Sequence, residues 1–184
     1  MRSKPDVTRQ KPTIISGLYL VATPIGNLND LSIRAIEILQ NVDVIACEDT
    51  RITSKILNKY LIKNKKITYH EHSTARTRMT LINMISSGKS VALVSDAGTP
   101  VISDPGYKLV RECIEENFNI TTIPGANAAI TGLILSGLPA NRFLFVGFLN
   151  SKKNQRDKEL AELSSVPTTL IFYESARRLV TTLR

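Results

Sequence analysis

The chain has 184 residues, 42% of them hydrophobic and 22% charged, the ordinary range of a globular protein and enough for one substantial core or for one domain with part of another. Lysine and arginine number 24 against 16 aspartates and glutamates, a net charge of +8 that favours an anionic partner such as nucleic acid. No apolar run approaches the ~20 residues of a membrane-spanning helix, and the two cysteines, Cys47 and Cys113, lie in apolar periodic segments, which favours buried free thiols in a reducing compartment over a disulfide or a metal site.

Residues 1–13 are basic and polar and lack the apolar core of a secretory signal, so they are expected to form a disordered leader. The apolar run at 17–22 predicts a strand that ends at Thr23-Pro-Ile-Gly-Asn-Leu28. Asp30 is placed to cap a helix with Leu31, Ala35, Ile38 and Leu39 on one face. A strand at 42–46 ends in Glu48-Asp-Thr-Arg51, and Ile52, Ile56, Leu57 and Tyr60 then recur at helical spacing. Beyond the basic turn at 63–66 come a strand at 67–70 and a helix over 74–87, with Gly88 suited to its C-terminal end.

The densest stretch follows. An apolar strand at 91–94 stops at Ser95-Asp-Ala-Gly-Thr-Pro-Val-Ile-Ser-Asp-Pro-Gly106, where two glycines supply positive φ and two prolines fix it. Asp104 and Pro105 read as N-cap and first residue of a helix carrying Leu109, Val110, Cys113 and Ile114. Glycine, proline and aspartate also make ordinary turns, but a connection of two or three residues would have sufficed here.

A strand at 120–123 ends at Pro124-Gly125, and a helix of small residues at 126–136 stops at Gly137. This alternation predicts a mainly parallel α/β/α sandwich with both faces of the sheet covered, occupying residues 14–138. After a linker at 138–141 a second α/β domain starts at 142 and runs to 184, with strands at 143–148 and 168–173, a helix near 158–163 and a helix from Ser175. That is too little for an independent core.

Four strands end in marked loops, and ligands of open α/β sheets lie beyond the carboxyl ends of the strands. No G-x-G-x-x-G is present, and Gly88-Lys89-Ser90 lacks the first glycine of a phosphate-binding loop, because Asn83 stands there. His70 and His72 lack the further ligands a metal needs. Lys152, Lys153, Arg156 and Lys158 suit either a phosphate backbone or a solvated helix face. Glu48 and Asp49, adjacent carboxylates followed by Arg51, suit either chemistry at the sheet edge or capping and ion pairing.

Taken in register, Thr23-Pro-Ile-Gly-Asn-Leu28, Glu48-Asp-Thr-Arg51, Ser95-Asp-Ala-Gly-Thr-Pro100 with Ile102-Ser-Asp-Pro-Gly106, Pro124-Gly125 with Ala128, Gly147-Phe148 and Phe172-Tyr-Glu-Ser175 resemble the tetrapyrrole-methylase-like superfamily of S-adenosylmethionine-dependent methyltransferases. Within it, they look like the branch that methylates a cytidine ribose 2′-hydroxyl in bacterial small-subunit ribosomal RNA. The resemblance implies a two-domain fold with S-adenosyl-L-methionine in the cleft between the domains, a cytoplasmic homodimer without metal, and ribosomal RNA, in the assembled subunit, as substrate. It places Ile25, Gly26, Asp96, Ala97, Gly98, Thr99, Ile102, Asn127, Ala128, Tyr173 and Glu174 at the cofactor. Asn127 stands where relatives often carry serine or cysteine.

On this reading Glu48 or Asp49 takes the ribose proton or positions the ribose, and Arg51 engages a phosphate. Asp96 and Asp104 are the runners-up. Relatives continue beyond the length of this chain, so sheet edge or apolar surface is expected to be exposed. The alternatives are a methylase of the same superfamily acting on a tetrapyrrole or a protein, and an RNA-binding fragment without catalysis.

Overall fold

The structure, a computed structural model, describes residues 14–71 and 73–183. The leader expected at 1–13 and His72 lie outside the described residues. By its internal contacts the chain divides between Gly125 and Ala126.

The first unit is a parallel sheet of five strands: β1 (Gly17–Val21), β2 (Val44–Cys47), β3 (Lys66–Thr68), β4 (Ser90–Val94) and β5 (Ile120–Ile123), in the order β3-β2-β4-β1-β5. Helices α1 (Ile33–Asn41), α2 (Thr50–Lys59), α3 (Ala75–Ser86) and α4 (Tyr107–Glu115) connect them. The period of two along each strand sorts the core into two layers. Tyr19, Val21, Ile45, Cys47, Ala92 and Val94 pack with Ala35, Ile38 and Leu39 of α1 and Ile56 and Leu57 of α2. Their neighbours Leu18, Val44, Ala46, Val91 and Leu93 face Leu81 and Ile85 of α3 and Leu109 and Cys113 of α4. All five residues of β4 are buried, as expected of the central strand of a sheet covered on both faces. Both cysteines are buried free thiols.

Several boundaries differ from the sequence expectation. Asp30 does not cap α1; it ends a short 3₁₀ turn (Leu28–Asp30), and Ser32 is the N-cap, its side chain accepting from Ala35 N–H. Either residue type suits the position, but only Ser32 immediately precedes the first helical turn. Val42 closes α1 by donating to the Ile38 carbonyl, so β2 starts two residues later than predicted. Asp104 and Pro105 do not open α4, whose N-cap is Gly106 with φ 135°. A Cβ there would stand 2.7 Å from Leu93 Cδ2, so the chain can turn against β4 only at a glycine.

The second unit begins at 126 rather than after the 138–141 linker. Helix α5 (Ala128–Ser136), expected to close the first domain, packs on β7 (Thr169–Tyr173), which pairs in parallel with β6 (Phe143–Phe148). Helices α6 (Lys153–Leu163) and α7 (Ala176–Thr182) complete it. A register shift between Phe145 and Gly147 marks a bulge, with Gly147 at φ 81°. The expected exposed apolar surface is present: Phe143, Leu144 and Phe148 of β6 are 43%, 39% and 55% exposed on a sheet of only two strands. No helix among the described residues is long and apolar enough to cross a membrane.

Candidate functional site

All five strands of the first unit run the same way, so the loops that follow β1, β2, β4 and β5 gather at one edge. The loops after β1 and β4 are joined directly. Thr23 N–H donates to the Gly98 carbonyl at 2.8 Å, and Gly98 N–H donates back to the Thr23 carbonyl at 3.0 Å. The buried Thr23 hydroxyl donates to the Ser95 carbonyl at 3.0 Å, and Ser95 Oγ donates to the Gly98 carbonyl at 3.1 Å. Ile25 and Gly26 follow shortly after Thr23 in one of these joined loops, and Ala97 and Thr99 flank Gly98 in the other. A Cβ at Gly26 would meet nothing within 4 Å, so open space lies beside that backbone. The loop after β5 reaches the same edge, because a Cβ on Gly125 would stand 2.9 Å from Ala22 Cβ.

The β4 loop is strained as well as pinned. Val101 and Ser103 have φ of 77° and 58°, and a β-branched residue in that region is an outlier of the kind that collects at functional sites. Nothing in the residue types Val-Ile-Ser announces this. Ile102, between them, is 40% exposed.

Carboxylates from the loops after β2 and β4 meet nearby. Burial pushes the Glu48 carboxyl above its ordinary pKa, helped by repulsion from Asp96 and Asp104, while His70 opposes the shift. Asp96 is also raised by burial, against the effect of Asp49 N–H, which donates to Asp96 Oδ1 at 3.1 Å. Asp104 is raised by burial against a hydrogen bond shared with the Ser95 side chain. Asp49 behaves oppositely. It is the N-cap of α2, and its carboxylate accepts from Arg51 N–H at 2.7 Å and from Arg51 Nη2 at 2.6 Å. These bonds hold its pKa at about 2. Of the adjacent pair, Glu48 has the environment of a proton acceptor, and Asp49 has that of a cap.

In the second unit Asn127 is the N-cap of α5 and accepts from Ile130 N–H. Ala129 N–H donates to the Tyr173 hydroxyl at 3.1 Å, and the Tyr173 ring packs edge-on against Phe145 and Phe148. Ala128, Gly132, Tyr173 and Glu174 line a cleft of about 390 Å³, within the ~300–1,000 Å³ of small-molecule sites. The Glu174 carboxylate is committed internally, accepting from Thr182 Oγ1 at 2.8 Å, from Ser175 N–H at 2.8 Å and from Arg178 at 3.2 Å. These contacts, led by Thr182, lower its pKa.

The basic run of α6 is not a free patch. Arg156 is buried with Nη1 near the Asn150 and Ser151 carbonyls, Lys153 pairs with Asp157 at 2.7 Å, and Lys158 lies 4.0 Å from Glu162. Among the described residues no group of three or more His, Cys, Asp or Glu side chains is arranged to hold a metal ion.

The first unit is a parallel α/β sandwich with pinned, glycine-bearing loops at the carboxyl ends of its strands, the edge at which open α/β sheets as a class bind ligands. The fold is shared with the solved structure of diphthine synthase, 16% identical, with a TM-score of 0.69 over 86% of this chain and 64% of that one. The sequence matches the family of Tetrapyrrole (Corrin/Porphyrin) Methylases over residues 17–184, and the chain belongs to that family. Membership implies a methyl donor. Two similar relatives are both called ribosomal RNA small subunit methyltransferase I. That of Halalkalibacterium halodurans is 54% identical over 90% of this chain and 57% of its own length, and that of Rickettsia prowazekii is 51% identical over 91% and 60%. The chain thus spans less than two thirds of these relatives.

Proposed function

We propose that this chain takes part in S-adenosyl-L-methionine-dependent 2′-O-methylation of a cytidine ribose in small-subunit ribosomal RNA. The observation that carries the reading is about 50% identity, across nine tenths of the chain, to proteins called ribosomal RNA small subunit methyltransferase I. The pinned pair of loops in the first unit supports it. Gly26, Ala97, Gly98 and Thr99 offer small side chains and backbone amides for close approach to an adenosine and a methionine moiety, and Ile25 and Ile102 offer apolar surface. Asp96, in the same β4 loop, has a partly buried carboxylate suited to the cationic sulfonium. Within the second unit, Ala128, Tyr173 and Glu174 line one cleft and Asn127 caps α5.

S-adenosyl-L-methionine supplies an electrophilic methyl group on its sulfonium. The residues of the chain orient the ribose and accept its proton. Glu48, whose raised pKa keeps it a better base than an ordinary carboxylate, would take the 2′-hydroxyl proton while the methyl group passes from sulfur to that oxygen and S-adenosylhomocysteine leaves. Asp49 caps α2 and fixes Arg51, whose side chain is 87% exposed and open at its outer edge to meet a phosphate. The protein acts as a homodimer in the cytoplasm, on RNA of the assembled small subunit.

The test is incubation with S-adenosyl-L-methionine and small ribosomal subunits, followed by mass-spectrometric mapping of ribose methylation. A new 2′-O-methylcytidine is expected. Methyl incorporation on a protein, a base or a tetrapyrrole instead would refute the assignment.

A further inference from the structure

A second concavity in the first unit is not needed for the methyl donor. It is a cleft of about 180 Å³ beside the first turn of α4, lined in part by Tyr69, Ser73, Arg78, Asp104, Tyr107 and Lys108. That is smaller than the ~300–1,000 Å³ usual for a cofactor-sized ligand. On one wall His70 N–H donates to Ser73 Oγ and Ser73 N–H donates to the His70 carbonyl, both at 2.8 Å.

The chemistry of the lining is mixed in a particular way. Arg78 is already engaged, with Nε 2.5 Å from Glu112 Oε2, so Lys108 is the cation that faces solvent. No side chain caps α4, so the first turn of that helix presents backbone N–H groups beside Lys108. Tyr107 is 63% exposed, which leaves a ring face for a flat partner. Glu71 and Asp104 place carboxylates in the same cleft. These disfavour a bare anion but suit the hydroxyl and amino groups of a nucleoside.

An exposed aromatic ring next to a cation, with hydrogen-bonding groups behind them, is how unpaired nucleotides are held. The cleft also adjoins the proposed base: three groups whose charges act on Glu48 are Asp104, His70 and Glu71, and all three line it.

Building on the reading that the chain acts on RNA, we propose that this cleft seats one nucleotide of the substrate strand adjacent to the one presented to Glu48. Its base stacks on Tyr107, and its phosphate is held by Lys108 and the N-terminal turn of α4. Tyr107 and Lys108 are then positioning residues that set where the strand enters.

The test is fluorescence anisotropy of the 184-residue chain with a short fluorescein-labelled single-stranded RNA over a range of salt, with S-adenosyl-L-methionine calorimetry alongside. Tyr107→Ala is expected to weaken binding roughly five- to a hundred-fold and Tyr107→Phe to restore it. Lys108→Ala is expected to lower the slope of log affinity against log salt by about one, while Arg34→Ala on α1 stays within about twofold. No RNA binding by the unsubstituted chain, or binding indifferent to Tyr107→Ala and Lys108→Ala, overturns the inference. Donor binding with cleft-independent RNA binding would spare the methyltransferase reading and remove this one. Cleft-dependent RNA binding without donor binding would do the reverse.

Discussion

Thr23 and Gly98, 75 residues apart in sequence, exchange both of their backbone hydrogen bonds, and this pair makes one surface of two loops. The Thr23 side chain, 2% exposed, adds a third bond to the Ser95 carbonyl. The loop after β1 cannot shift without breaking contacts inside the β4 loop.

Gly98→Ala should therefore be costly in two ways. At φ 86° a side chain is disfavoured by about 1–2 kcal/mol, and the loop that answers to Thr23 would rearrange. Thermal unfolding should show a lower Tm. Isothermal titration should show S-adenosyl-L-methionine binding reduced at least tenfold. Thr23→Val tests the side-chain bond alone, with an expected loss of about 1–3 kcal/mol from the Ser95 carbonyl it strands.

Glu48 should govern the pH dependence of methyl transfer. A base must be ionised to act, and this carboxyl is raised above its ordinary 4.5. Single-turnover rates should thus climb with pH through a value above that of a free glutamate and level off beyond it. Glu48→Gln should lower the rate by about 10²–10⁴ and abolish the climb. An unchanged profile in the Glu48→Gln variant would remove Glu48 from the chemistry.

Asp49 should show the opposite signature, in stability rather than rate. Its folded pKa of about 2 lies below the ordinary 3.8, so its contribution is present above the ordinary value and is lost as pH falls toward 2. Asp49→Ala should lower Tm at neutral pH and fray the start of α2, with the gap to the parent protein closing in acid. Methyl transfer by Asp49→Asn should keep the parent's pH profile, with its loss appearing in KM for RNA because Arg51 is no longer held.

Asp104 is a carboxylate whose ionised form the fold disfavours, because burial raises its pKa. A raised acid contributes stability below its unfolded pKa and loses it as pH rises through the folded value. At neutral pH Asp104→Asn should accordingly raise Tm, by an amount on the order of a few degrees, while weakening RNA binding at the adjoining cleft. Differential scanning calorimetry separates this from a purely structural role, in which Asn would lower Tm.

Much of this architecture is legible in the residues. The strands at 120–123 and 143–148 coincide with β5 and β6, because short apolar runs bounded by Gly, Pro or Asn have few other uses in an alternating chain. The helix expected at 74–87 is α3 capped by Thr74, since threonine before an apolar period is a start signal with a mechanism. What is not legible depends on distant partners. Asp-Pro at 104–105 has the form of a helix start, yet the close approach of Gly106 to Leu93 moves the start to Tyr107. Glu48 and Asp49 are adjacent and alike in sequence, and only the fold buries one near two other carboxylates and hands the other to Arg51. The basic run of α6 promises a patch that Asp157, Glu162 and the burial of Arg156 neutralise. Helix α5 follows β5 and so reads as part of the first domain, whereas its contacts are with β7.

The most direct measurement is calorimetric titration of S-adenosyl-L-methionine into the chain and its Gly98→Val variant. One saturable site, displaced by S-adenosylhomocysteine and lost in Gly98→Val while the variant still melts cooperatively, is the expected result. No heat of binding from the parent chain, or equal affinity in a folded Gly98→Val variant, would contradict a methyl-donor site built on the joined loops.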